Sequence, residues 1–175
     1  DELAMDVIQR DDDVDRLNLL ISRQFTEILR TGSVEQETRN PIHAINYMQA
    51  ASNLERIADH AHRIAQIARE YNCTLADDLK EELMDMEVQL CGFIDDAISY
   101  LLQTNSDKAN EMIDLIREIQ KSAARITVTS DNLSKSEMLE RLVLAASLER
   151  MFDYIMNIGE LTINLSHSTK QAEKG

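Results

Sequence analysis

Apolar residues recur along nearly the whole chain at the 3.6-residue period of an α-helix, and short polar breaks divide the pattern into five helical segments. The first is expected from about Leu3 to Leu29, with Val7, Val14, Leu17, Ile21 and Ile28 on one stripe. Thr31, Gly32 and Ser33 end it, and a polar loop follows to Arg39. Asn40-Pro41 then opens the second helix, since Asn is a good N-cap and Pro a good first helical residue. That helix runs to about Tyr71 on Leu54, Ala58, Ala61, Ile64 and Ala68, and Thr74 caps the next. The third covers about Leu75 to Gln103 on Leu79, Leu83, Met86, Leu90, Phe93 and Ala97, the near-heptad spacing of an antiparallel bundle. The fourth covers about Asp107 to Val128, on Ala109, Met112, Ile116, Ile119, Ala123 and Ile126. The fifth covers about Ser134 to Ser166, on Leu148, Met151, Phe152, Ile155 and Ile158, and the polar residues after it are expected to fray. No period-2 alternation argues for strands, so the fold class is all-α.

The two halves repeat each other. Residues 54–66 read LERIADHAHRIAQ and residues 148–160 read LERMFDYIMNIGE, with Leu, Glu, Arg, Asp and an Ile at matching offsets. A weaker echo links ELAMDVI (2–8) with DKANEMI (107–113) through Ala4 and Ala109. The repeat unit is therefore expected to be three helices. The second half has all three and the first half only two, so an opening helix is expected before Asp1. Without such a helix, an apolar groove would stay open for a partner. The resulting division is 1–72 for the first half, 73–168 for the second and 169–175 for a disordered tail.

Composition supports the helical reading. Only 4 Gly and 1 Pro leave few places to turn, and 43% hydrophobic residues with 4% aromatics suit a bundle packed with aliphatic side chains. No run approaches the roughly 18–20 apolar residues that span a bilayer, and no signal peptide is expected. A formal charge of -14 disfavours nucleic acid and anionic membranes as partners of this segment, and favours cations and basic protein surfaces. Cys73 and Cys91 lack CxxC or metal spacing and read as reduced thiols of a cytoplasmic protein.

One constellation carries chemistry. Glu55 and Asp59 stand one turn apart on a helical face, and so do Asp11 and Asp15 on the preceding helix. Antiparallel packing of the two helices would gather four carboxylates, which repel unless a cation or protons intervene. Clustered oxygens suit Mg²⁺, Mn²⁺ or Fe, and His62, one turn past Asp59, offers a nitrogen. His60 is a weaker candidate. The bland alternative is a solvated acidic face neutralised by Arg16, Arg56 and Arg63. In the second half Glu149 and Asp153 keep the pair. In one register Ile116 and Gln120 replace Asp11 and Asp15, and Met156 replaces His62. In the other, Asp114 matches Asp15 and Asn110 replaces Asp11. Either way the second site is poorer, so metal binding is expected to be unequal. His43, His167, Asp95 and Asp96 are expected to cap, pack or face water. No nucleophile–base pair, phosphate loop or Glu-x-x-His motif points to an enzyme.

LERIADHAHRIA (54–65) resembles the hallmark of the PhoU family, roughly LERIGDHAxNIA. LERMFDYIMNIGE (148–160) resembles its second copy, and DDDVD (11–15) the family's acidic motif on the preceding helix. The resemblance covers nearly the whole chain. It implies tandem three-helix bundles and a cytoplasmic, commonly homodimeric regulator of phosphate uptake. It also implies partners among the phosphate ABC transporter components and, in bacteria, a sensor histidine kinase. Some members bind metal through these motifs, which carries Asp11, Asp15, Glu55 and Asp59, with Glu149 and Asp153, over as ligands for Fe, Mg, Mn or Zn. RDDDVDRLNLLISRQF (10–25) is also similar to an archaeal branch in which an AbrB-like DNA-binding module precedes the PhoU-like part. That branch implies the alternative role of a sensing or dimerisation domain of a transcriptional regulator.

Overall fold

The computed structural model describes residues 2–31, 41–71, 77–123 and 134–172. They form five α-helices: α1 (Glu2–Thr31), α2 (Pro41–Tyr71), α3 (Asp77–Gln103), α4 (Ser106–Ala123) and α5 (Lys135–Ala172), with no strand among them. The all-α expectation holds. The expected caps Asn40 and Thr74, and the outer parts of the segments expected from Leu75 and to Val128, lie outside the described residues.

Helix α5 continues to Ala172, where fraying was expected beyond Ser166 and a disordered tail from 169. Lys170, Gln171 and Ala172 are good helix formers, so the polar stretch continues the helix. Its start is a capping box that the sequence reading passed over. Ser134 N–H donates to Glu137 Oε2 at 2.8 Å, and Glu137 N–H donates to Ser134 Oγ at 3.3 Å. Hydrogen bonds to its carboxyl from the Ser134 side chain first, and then from the Ser134 backbone N–H, hold Glu137 below its ordinary pKa.

The α3–α4 connection is equally specific. Asn105 N–H donates to Tyr100 O at 2.9 Å, and Thr104 N–H donates to Leu101 O at 3.2 Å, the paired bonds of a Schellman C-cap. Thr104 holds the left-handed position with φ 53°. Asn105 then caps α4 by accepting from Lys108 N–H at 3.2 Å.

Helix α5 is the hub, packing against α2, α3 and α4, while α1 packs on α2. Two contacts fix the sense of the α1–α2 pair: Asp11 meets His62 and Phe25 meets Tyr47, so the helices are antiparallel. Likewise Gln120 meets Asp153 and Ser106 meets Ser166, so α4 and α5 are antiparallel. The core gathers Phe152, Ile155, Ile158, Leu165 and Ile116, all at 0% exposure, with Phe93 edge-on to Phe152 at 6.5 Å. Gly159 lets α4 come close: a Cβ there would lie 3.0 Å from Ile113 Cδ1. Leu17, expected on the inner stripe of α1, is 57% exposed instead. The inner face of α1 runs through Val7, Asp11, Val14, Asn18 and Ile21, which places Leu17 on its flank.

A groove of about 520 Å³ opens beside the first half, lined by Leu3, Ala4, Val7, Ile64, Ala68 and Leu83 among others. The internal repeat gives it meaning. Ala109, Met112, Ile158 and Thr162, the counterparts of Ala4, Val7, Ile64 and Ala68, are buried in the three-helix second half. Their first-half equivalents line the open groove with residues of α3 and α5; Ala4, Val7 and Ile64 are half-buried and Ala68 is exposed.

Candidate functional site: an interhelical carboxylate cluster

Helices α1 and α2 bring their acids together. Asp15, Glu55 and Asp59 each offer a carboxylate oxygen within 4.8 Å of the others. The local cause is simple. Acids spaced by four residues share a helical face, and antiparallel packing along Val14, Ile21, Leu54 and Ile57 brings the two faces to one seam. Asp11 lies one turn away on α1, with its Oδ2 2.6 Å from His62 Nδ1 across the seam. Both side chains of that pair are mostly buried, at 18% and 22% exposure. The second oxygen, Asp11 Oδ1, is buried without a hydrogen-bond partner.

The electrostatics follow from this crowding. Loss of hydration between the helices raises the Glu55 pKa, and the charges of Asp59, Asp15 and Asp11 raise it further, while Arg56 opposes them. Asp59 is raised in the same way, first by lost hydration and then by Asp11 and Asp15. The fold thus gathers anions that water and one arginine do not fully compensate. Such a site is stabilised by protons or by a cation with a preference for oxygen.

The site residues expected from the sequence divide into three groups. Asp15, Glu55 and Asp59 converge. Asp11 and His62 sit beside them as a pair, so the Nδ1 of His62 faces Asp11. Glu149 and Asp153 lie apart, on the α5 face toward α4. There Gln120 Nε2 donates to Asp153 Oδ1 at 2.9 Å and to the Glu149 backbone O at 3.3 Å. This contact selects the register in which Gln120 replaces Asp15. Asp114, the anchor of the other register, turns outward to Arg117 at 3.2 Å.

His60 faces α5 rather than the cluster, with its ring 5.9 Å from that of Tyr154. Its pKa is lowered by lost hydration and by Arg63 and Arg150. His43 packs edge-on to Tyr47, and Asp95 and Asp96 are exposed. Arg16 serves Asp13 at 3.2 Å. One residue was missed. Asn18 continues the Asp11–Asp15 stripe of α1, and its Oδ1 is also buried without a partner. Its spacing from Asp11 and Asp15 was the available signal, but an amide does not register in a search for acids.

The class of protein is now defined: an all-helical protein of two related halves, with an acidic seam between the paired helices of the first. A PhoU domain model matches residues 1–68, the span that holds Asp11, Asp15, Glu55, Asp59 and His62. Two relatives match nearly the full length. One is the phosphate-specific transport system accessory protein PhoU homolog of Clostridium acetobutylicum, 25% identical over 94% of this chain and 78% of its own. The other is PhoU homolog 1 of Thermotoga maritima, which carries the same description and is 27% identical over 98% of this chain and 76% of its own. The crystal structure of the phosphate transport system regulatory protein PhoU from Streptococcus pneumoniae has the same fold. Its TM-score is 0.79 at 23% identity, covering 94% of this chain and 79% of that one. The chain is thus similar to PhoU proteins, in sequence over the PhoU domain at residues 1–68 and in fold over 94% of its length.

Proposed function

We propose that this chain is an accessory regulator of phosphate transport that works by protein–protein contact and responds to a divalent cation bound between α1 and α2. The regulatory role comes from the family, whose relatives are named as transport accessory proteins. Its partners on this reading are components of a phosphate transporter, with a sensor kinase as a further one. It acts in the cytoplasm as a homodimer and catalyses no reaction. Among the described residues no helix is long and apolar enough to cross a membrane, so contact with a transporter falls to its outer faces.

The cation reading is carried by one observation: Asp15, Glu55 and Asp59 converge within 4.8 Å beside Asp11 Oδ1, which has no partner. Asp15, Glu55 and Asp59 would hold the ion, and Asp11, tied to His62, adds a fourth carboxylate to the same field. An oxygen-rich set with one imidazole nearby favours Mn²⁺, Fe or Mg²⁺ over thiol-seeking metals, and Zn is less well served. A bound cation would cross-link α1 to α2 and so set how α1 is presented. Titration of Mn²⁺ into wild type and the Glu55→Gln/Asp59→Asn variant tests this, with loss of binding expected in the variant. Equal affinity in the two proteins would reject the site. Capture of transporter components by the full-length protein, with and without Mn²⁺, tests the regulatory half of the proposal.

A further inference from the structure

We infer that Gln120 stands where the first half would carry a cation: its side-chain amide clamps α4 to α5 through Asp153, and the second half neither needs nor holds a metal. The inference rests on reading the α1–α2 cluster as a cation site. The repeat makes the two halves comparable residue by residue. Glu149, Arg150 and Asp153 are the counterparts of Glu55, Arg56 and Asp59, unchanged in kind. The differences are Gln120 for Asp15, Ile116 for Asp11 and Met156 for His62.

Two of the differences remove a carboxylate and the third removes an imidazole, and Asp153 is left satisfied. Asp153 Oδ1 accepts from Gln120 Nε2 at 2.9 Å, and Asp153 Oδ2 accepts from Arg150 at 3.3 Å. The same Gln120 nitrogen reaches the Glu149 backbone O at 3.3 Å, so one amide ties α4 to two residues of α5. Ile116 is fully buried where Asp11 brings charge to the first half. A carboxylate at position 120 would repel Asp153 and call for a cation, whereas an amide supplies donors and no charge. A second carboxylate cluster like that between α1 and α2 therefore does not fit this half. Cation binding would stiffen the α1–α2 pair alone, while α4–α5 stays fixed at any metal concentration and gives the responsive half a constant reference.

Two measurements on the full chain test this. Mn²⁺ is titrated into wild type and Asp153→Asn, and thermal unfolding of Gln120→Met is followed in chelator and in Mn²⁺. The expected results are unchanged Mn²⁺ stoichiometry and affinity in Asp153→Asn, and a fall in Tm of about 3 °C in Gln120→Met, equal in both buffers. Loss of a Mn²⁺ equivalent in Asp153→Asn would overturn the inference. So would a Gln120→Met protein that melts with wild type in chelator. Wild type that binds no Mn²⁺ at all would sink the first-half reading, and the Gln120→Met melt in chelator then decides the clamp by itself.

Discussion

His62 Nδ1 and Asp11 Oδ2 meet at 2.6 Å across the α1–α2 seam, the closest polar contact described between those helices. The pair holds one oxygen of Asp11 and leaves the other, Oδ1, buried and without a partner beside Asp15 and Asp59. His62 thus orients a carboxylate instead of serving three acids at once. Replacing it by Leu should leave the fold intact and weaken Mn²⁺ binding about tenfold, the usual cost of losing an orienting partner. Calorimetric titration measures this, and an unchanged affinity would mean that Asp11 plays no part.

The raised pKa values of Glu55 and Asp59 give stability a defined pH dependence. A folded-state value above the unfolded one means that the folded protein holds protons the unfolded chain has released. Their contribution is present below the ordinary carboxylate range and is lost as pH rises through the raised values. In chelator at pH 7 the Glu55→Gln/Asp59→Asn variant should therefore be more stable than wild type. The gap should be a few degrees in Tm at most, because Asp59 is exposed and solvent screens it. It should vanish near pH 3 and close when Mn²⁺ is added. A variant less stable than wild type at pH 7 in chelator would show that these acids support the fold.

Much of this architecture was legible before any coordinates, because long aliphatic stripes leave little freedom. Met86, Leu90, Ala97, Met112, Ile116, Phe152, Ile155 and Ile158 all fall on expected core stripes and are all buried. The acidic seam was legible for the same reason, since four-residue spacing fixes a face. Where periodicity says nothing, the reading failed. Leu17 has the hydrophobicity of a core residue but sits one step off the α1 seam, and sequence alone does not say how wide the seam is. The direction of the His62 ring, the partner of Gln120 and the unpaired oxygen of Asn18 depend on how two helices are rotated against each other. The end of α5 was not legible, because the polarity of the stretch suggests fraying while Lys170, Gln171 and Ala172 favour helix.

The halves should also differ in what holds them. Phe152 is at 0% exposure and meets Phe93 edge-on, while its repeat counterpart is the small, partly open Ala58. Phe152→Ala leaves a large void at the centre of the three-helix half and should cost about 3–5 kcal/mol. Urea unfolding with the slope held in view measures it. A loss under about 1 kcal/mol would mean that the surrounding helices collapse to fill the space.

Thr104 presents the opposite case, a residue the fold tolerates at a cost. The Schellman pair from Asn105 to Tyr100 and from Thr104 to Leu101 requires a left-handed residue at the end of α3, and Thr104 supplies it with φ 53°. Any Cβ crowds the following carbonyl oxygen there, costing about 1–2 kcal/mol that glycine avoids. Thr104→Gly should keep both cap bonds and the Asn105 cap of α4, and should raise Tm by about 2–4 °C. The gain is smaller than the strain relieved because glycine loses more backbone freedom on folding. Thr104→Ala keeps the left-handed strain and serves as the control, with no rise expected. If both variants melted alike, the strain would lie in the threonine side chain's packing and not in its backbone. If Thr104→Gly melted below wild type, the α3–α4 turn would depend on the threonine itself.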